Sequence, residues 1–236
     1  QEAAKEMKTK AMHAIVMDPN TGKVLGMASY PSFDPNNYTA TKQDVINMNP
    51  ASYVYEPGST FKPEYMAAAL DGGYINENSS WYDGVGSVNI GGATIKNFDS
   101  VGLGTMHLKD IIVHSSNVGM VKISQTMTSE QTLKGLKKMG FGQKTGIELP
   151  NEEIGLVPTA KRLNSDPQAK ATVAFGQGIS VTPIQLITAF SEVINGGYDI
   201  TPTLLEKVED DYGNVQYQWQ QGERTRAHKA KTSKLM

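Results

Sequence analysis

The sequence predicts one domain of mixed α and β structure, and three observations carry that expectation. Short apolar runs come in pairs about turn residues, as the strands of hairpins do. Longer segments with helix start and stop signals lie between the pairs. No linker, repeat or low-complexity tract divides the 236 residues, a length that suits one large domain or two small ones.

The elements follow in order. His13-Ala14-Ile15-Val16-Met17-Asp18 alternates, Pro19-Asn20-Thr21-Gly22 turns the chain, and Lys23-Val24-Leu25-Gly26-Met27-Ala28 resumes it, so a first hairpin is expected. Residues 31–50, rich in Pro, Asn, Asp and Thr, read as surface loop. A helix is expected over 59–70, stopped by Asp71-Gly72-Gly73. Residues 87–90 and 93–96 flank Gly91-Gly92 and predict a second hairpin with a two-glycine turn. Residues 108–113 and 118–127 read as helices separated by His114-Ser115-Ser116-Asn117, and 130–139 as another closed by Gly140. Residues 140–170 read as irregular. A helix is expected over 183–195, with Pro183 in its first turn and Gly196-Gly197 at its end. Residues 204–208 and 215–219 flank Asp210-Asp211-Tyr212-Gly213-Asn214 as a third hairpin, and the basic stretch 224–236 begins a helix.

Composition excludes several classes of function. Lys and Arg number 22 against 24 Asp and Glu, a net charge of −2, so nothing favours nucleic acid or an anionic membrane surface. No basic block or zinc-finger spacing reopens that reading. The chain has no cysteine, which removes disulfides, thiolate metal sites and cysteine nucleophiles together. That is compatible with a place outside the cytoplasm but does not establish one. The four histidines, His13, His107, His114 and His228, lack metal-ligand spacing. No apolar run approaches the roughly 18–20 residues of a membrane span, and no signal peptide is visible. Gln1 is an unusual natural start, so a piece of a longer protein is expected, with any anchor upstream.

The stretch Tyr55-Glu56-Pro57-Gly58-Ser59-Thr60-Phe61-Lys62-Pro63 contains the one Ser-x-x-Lys of the chain. A serine hydroxyl is a poor nucleophile until a base takes its proton. Three residues along a helix bring Ser59 and Lys62 to one face, and a lysine becomes a base once burial or neighbouring cations lower its pKa. The helix N-terminus stabilises developing negative charge, and Pro63 is tolerated in a first turn. Ser59 equally suits a plain N-cap, with Lys62 a solvated side chain. Ser115-Ser116-Asn117 follows 56 residues after Ser59, between two helical segments. From such a tip Ser115 could relay a proton between Lys62 and a leaving amine, and Asn117 could hold a peptide carbonyl. The same triplet is also common helix punctuation.

Together the two clusters fit the pattern of β-lactamases and penicillin-binding proteins, Ser-x-x-Lys followed by Ser-x-Asn and Lys-Thr-Gly. YEPGSTFKP, HSSNVGMVKIS, FGQKTGIELP, FGQGISVTP and the opening MDPNTGKVLGMASYPSFDPN resemble, in order along almost the whole chain, the transpeptidase domain of class B penicillin-binding proteins. The resemblance implies an α+β penicillin-binding protein and serine β-lactamase-like fold, an antiparallel sheet flanked by helices, over 1–236. It implies a peptidoglycan D,D-transpeptidase whose Ser59 attacks stem peptides ending in D-Ala-D-Ala and is acylated by β-lactams. Lys62 would be its general base, Ser115 a proton shuttle, Asn117 a substrate-binding residue, and the Ser59 N–H an oxyanion donor. It further implies no cofactor or metal, and a place on the extracytoplasmic face of the bacterial cell membrane, held by an N-terminal segment. A glycan polymerase and division or elongation proteins are the partners it suggests.

One departure qualifies the resemblance. Lys144-Thr145-Gly146 lies only 27 residues beyond Asn117 and matches a separate loop of the family, so it is expected to be structural. The family's third motif sits later, on a strand bordering the cleft, and Lys231-Thr232-Ser233 lacks its glycine. The third motif and the C-terminal strands are therefore expected to lie outside this chain, and a chain ending at Met236 is expected to acylate slowly or not at all. The rival reading is a non-catalytic fragment or paralogue, a β-lactam sensor or structural partner in a wall-building complex. Tyr212-Gly213-Asn214 reads as a turn, and His114 as a helix-end residue. A class A β-lactamase is disfavoured because Ala160 stands three residues before Leu163-Asn164, where a deacylating Glu would be needed.

Overall fold

The computed structural model describes residues 2–236. A short helix α1 (Glu2–Glu6) precedes a hairpin of β1 (Met12–Met17) and β2 (Val24–Tyr30), antiparallel with Ala14 opposite Ala28. Residues 31–50, expected as loop, contain a 3₁₀ turn Pro35–Ala40, capped by the Asp34 side chain on Asn36 N–H, and a single helical turn α2 (Gln43–Ile46).

The predicted helix at Ser59 is divided. Gly58–Phe61 is a 3₁₀ turn, and α3 (Lys62–Asp71) is α-helical. Pro63 explains the change. An α-helix through Ser59 would need an N–H at residue 63 to bond the Ser59 carbonyl, and proline has none and clashes there. That carbonyl accepts the Lys62 N–H instead, three residues on. All of α3 except Pro63 is buried, which marks it as the central helix of the molecule. Its neighbours come from the second half of the chain.

Strands β3 (Ser80–Asp83) and β6 (Gly104–His107) pair around an inner hairpin of β4 (Ser87–Ile90) and β5 (Ala93–Lys96). The inner turn is the expected Gly91-Gly92, with φ of +56° and +83°, the positive values that a tight two-residue hairpin turn demands. Then come α4 (Leu108–Val113), α5 (Asn117–Gln125) and α6 (Ser129–Lys138), the last opened by a reciprocal cap between Thr128 and Gln131. Residues 160–173 are not irregular as expected. They form α7 (Ala160–Ser165) and α8 (Pro167–Val173), capped by Thr159 and Asp166. Helix α9 (Pro183–Ile194), the exposed hairpin β7 (Lys207–Glu209) and β8 (Val215–Gln218), and α10 (Ala230–Leu235) complete the order.

The strands described pair as four two-stranded antiparallel ribbons; α9 packs on β1, and α5 on β3, β4 and β5. Helix α3 touches α5, α6, α9 and α10, and the main core gathers Phe61, Tyr65 and Met66 from the α3 region with Met106, Ile123 and Leu136. A smaller cluster of Ala51, Ile147 and Ile184 joins the first hairpin to α9. Among the described residues no helix is long and apolar enough to cross a membrane.

Candidate active site

Ser59 stands in the 3₁₀ turn, exposed, one turn before the first residue of α3. Side chains three apart eclipse in a 3₁₀ helix, which places Ser59 and Lys62 on one side of the turn. The turn is gripped from outside by the FGQG stretch. Gly58 N–H donates to Gly176 O at 3.0 Å, Gly178 N–H to Glu56 Oε1 at 2.9 Å, and Tyr55 and Val181 exchange backbone bonds at 3.0 and 2.9 Å. Gly176 has φ +76°, and a Cβ there would fall on the Gly58 carbonyl oxygen. The strand-like segment and the turn carrying Ser59 are therefore held backbone to backbone.

Lys62 is buried, at 2% exposure. Its ammonium donates to Ser115 O at 2.5 Å, Ser115 Oγ at 2.9 Å and Asn117 Oδ1 at 2.9 Å. Three of the four residues singled out from the sequence thus meet on one atom, across 53 and 55 residues of chain. The fourth does not join them by a hydrogen bond: the Lys62 ammonium is turned to Ser115 and Asn117 rather than to the Ser59 hydroxyl. Burial lowers the Lys62 pKa to about 8, so a neutral amine is accessible near physiological pH.

The tip carrying Ser115 and Asn117 is the break between α4 and α5. Ser115 has φ +50°, a left-handed conformation that costs a non-glycine residue about 1–3 kcal/mol. It directs both the carbonyl and the hydroxyl of Ser115 to Lys62. Ser116 is the N-cap of α5, its hydroxyl accepting from Gly119 N–H, and Asn117 is the first helical residue. The Asn117 amide donates to Lys96 O at 2.8 Å while its oxygen faces Lys62.

Two residues behind this tip escaped the sequence reading. Asn97 Oδ1 accepts from Ser116 Oγ at 3.1 Å and Val118 N–H at 3.2 Å. Asn97 Nδ2 donates to Asp83 Oδ2 at 2.7 Å. Both are buried. The available signal was weak: an Asn after a strand and an Asp before Gly-Val-Gly, each ordinary turn chemistry.

The decoys resolve as structure. Thr145 N–H and Oγ1 donate to Glu152 Oε1 at 2.5 and 2.6 Å, and Gly146 N–H to Oε2 at 3.3 Å, so Lys144-Thr145-Gly146 folds around a buried carboxylate, as expected. His114 Nδ1 lies 3.0 Å from Asp110 O at the end of α4. Asp210 accepts from the backbone of Tyr212 and Asn214, which makes Tyr212-Gly213-Asn214 a hairpin crest.

Residues 12–236 match the family described as the penicillin binding protein transpeptidase domain. The chain is 39% identical over 197 residues to stage V sporulation protein D of Bacillus subtilis strain 168, covering 83% of this chain and 30% of that protein. It is 35% identical over 203 residues to the peptidoglycan D,D-transpeptidase FtsI of Escherichia coli K12, covering 86% of this chain and 33% of that protein. The crystal structure of penicillin binding protein 3 from Mycobacterium tuberculosis, complexed with ampicillin, superposes with a TM-score of 0.85 at 29% identity, over 100% of this chain and 51% of that one. The chain spans 30 to 33% of the length of these two curated relatives. The motifs, the fold and the family match agree, and the chain belongs to the penicillin-binding protein transpeptidase domain family.

Proposed function

We propose that residues 1–236 act as the transpeptidase domain of a peptidoglycan D,D-transpeptidase on the extracytoplasmic face of the cell membrane. The observation that carries the reading is the Lys62 amine, buried and held 2.9 Å from both Ser115 Oγ and Asn117 Oδ1, one turn from Ser59. In this reading the neutral Lys62 amine takes the Ser59 proton as Oγ bonds to the carbonyl carbon of the penultimate D-Ala. The tetrahedral intermediate collapses, the C–N bond breaks, and the departing D-Ala receives a proton relayed from Lys62 through Ser115. An amine of a second stem peptide then attacks the ester. Its proton passes to the site as the new amide forms, and the Ser59 hydroxyl is restored.

Asn117 would position the peptide, and the Ser59 N–H, among those that a first helical turn leaves without an intrahelical partner, would face the developing oxyanion. β-Lactams would enter by the same attack and remain as an ester on Ser59. The likeness to an ampicillin-complexed relative supports that. The test supplies the full-length protein with a stem peptide ending in D-Ala-D-Ala and an amine acceptor. D-Ala release with formation of the new amide, both abolished in Ser59→Ala, is expected. Catalytic turnover of penicillin without amide formation would point to a β-lactamase instead.

A further inference from the structure

We infer that Asp83 and Asn97 are positioning residues for the reaction at Ser59: they fix the Ser115–Asn117 tip against Lys62, although neither touches the reacting atoms. The inference rests on the reading of the site given above. Every hydrogen-bonding position of the Asn97 side chain is used. Its oxygen accepts from Ser116 Oγ and Val118 N–H, and its nitrogen donates to Asp83 Oδ2 and to Val101 O at 3.1 Å. The preceding residue, Lys96, accepts the Asn117 amide. Residues 96 and 97 therefore grip three consecutive residues, 116 to 118, immediately after the left-handed Ser115.

Polarity runs one way through this network. Asp83 is 1% exposed, and both its oxygens act as acceptors, Oδ1 from Gly86 N–H at 2.7 Å and Oδ2 from Asn97 Nδ2 at 2.7 Å. It admits only the nitrogen end of the Asn97 amide, so the oxygen end must face α5. A flipped Asn97 would set its N–H groups against the Val118 N–H. The Lys96 carbonyl makes the same selection for Asn117, which leaves Asn117 Oδ1 for the Lys62 ammonium. The support is close-packed: a Cβ on Gly86 would meet the Val101 backbone, and one on Gly102 the Gly84 backbone. The network is fully satisfied, the condition under which buried polar groups specify one geometry.

The test measures benzylpenicillin acylation of the full-length protein, per folded molecule, separating the acylation rate constant from the dissociation constant across pH. Four forms are compared: wild type, Asn97→Asp, Asp83→Asn and the double swap, with Ser59→Ala as the blank. Asn97→Asp opposes two buried carboxylates, and Asp83→Asn offers a donor where Asn97 needs an acceptor. Each single variant is expected to lower the acylation rate constant by about 100-fold, the size of effect that an ångström of misplacement produces. Each is also expected to displace the pH midpoint, with little change in dissociation constant. The swap restores the donor–acceptor pair between positions 83 and 97 but leaves Val101 O without its donor, so it should recover part of the rate lost in Asn97→Asp. A merely structural role would lower the folded fraction but leave the rate per folded molecule and the pH midpoint alone. Wild-type rates in the folded single variants, or a folded swap no faster than Asn97→Asp, overturn the inference. A wild type with no Ser59-dependent adduct would instead refute the proposed function on which it stands.

Discussion

At Lys62 two effects oppose each other. Three acceptors favour the ammonium, and burial disfavours it; burial wins and brings the pKa to about 8. If the neutral amine is the base, acylation must rise with pH through about 8, as a stopped-flow pH profile would register. Lys62→Arg keeps the charge but cannot release a proton, so its acylation rate should fall by about 10²–10⁴-fold, the usual contribution of a general base. A profile flat between pH 6 and 10 would rule out Lys62 as the base. Its neighbour Glu64 presents a different problem. Both carboxylate oxygens are buried without a hydrogen-bond partner, and burial raises its pKa from 4.5 to about 8. Between those values the folded protein holds a proton that the unfolded chain has lost, so stability falls as pH rises. Glu64→Gln removes that dependence. It should melt higher than wild type at pH 8, with the gain shrinking toward pH 4.5, as paired thermal scans would measure.

At the scale of elements, the turn carrying Ser59 owes its shape to Pro63 and its place to the FGQG stretch. Gly176→Ala would put a Cβ on the Gly58 carbonyl in a left-handed backbone. A destabilisation of about 1–3 kcal/mol is expected from urea unfolding, together with slower acylation, because the strain is delivered at the turn that carries Ser59. Local signals made the hairpins and most helices legible: Gly91-Gly92 marked one turn, and Pro183 with Gly196-Gly197 bounded α9. Helices α7 and α8 were missed because each is under two full turns and they share Asp166, which ends one and caps the other. No apolar period develops in so few residues. The β3–β6 pair was missed for the opposite reason. Its strands close around the whole β4–β5 hairpin, and no turn between them announces the pairing.

Across the whole molecule, the far end of α3 is tied down at Asp71. Its carboxylate accepts from Lys138 Nζ at 2.5 Å on α6, and from Lys229 N–H at 2.7 Å and Thr232 Oγ1 at 3.1 Å at the start of α10. Burial pushes this carboxyl pKa up, but the bonds from Lys138, Lys229 and Thr232 outweigh it and hold the group below 3.8. Its stabilisation is therefore present above that value and lost as the pH falls through the lowered pKa. Asp71→Asn should cost about 2 kcal/mol at pH 7, less than a wholly buried pair because Lys138 is half exposed, and the difference should vanish in acid. The grouping at the candidate site was legible because its residues lie in two short contiguous motifs, and Lys62, Ser115 and Asn117 do meet. Asn97 and Asp83 were not legible, since they act 19 residues and more from the tip they hold, through contacts that only the folded chain creates.

The most direct test of the central claim is intact mass of the full-length protein before and after excess benzylpenicillin, with Ser59→Ala alongside. A stable one-to-one adduct, absent from Ser59→Ala, is the predicted result. An unmodified wild type, or an adduct that survives in Ser59→Ala, would contradict a serine acyl-enzyme at this site.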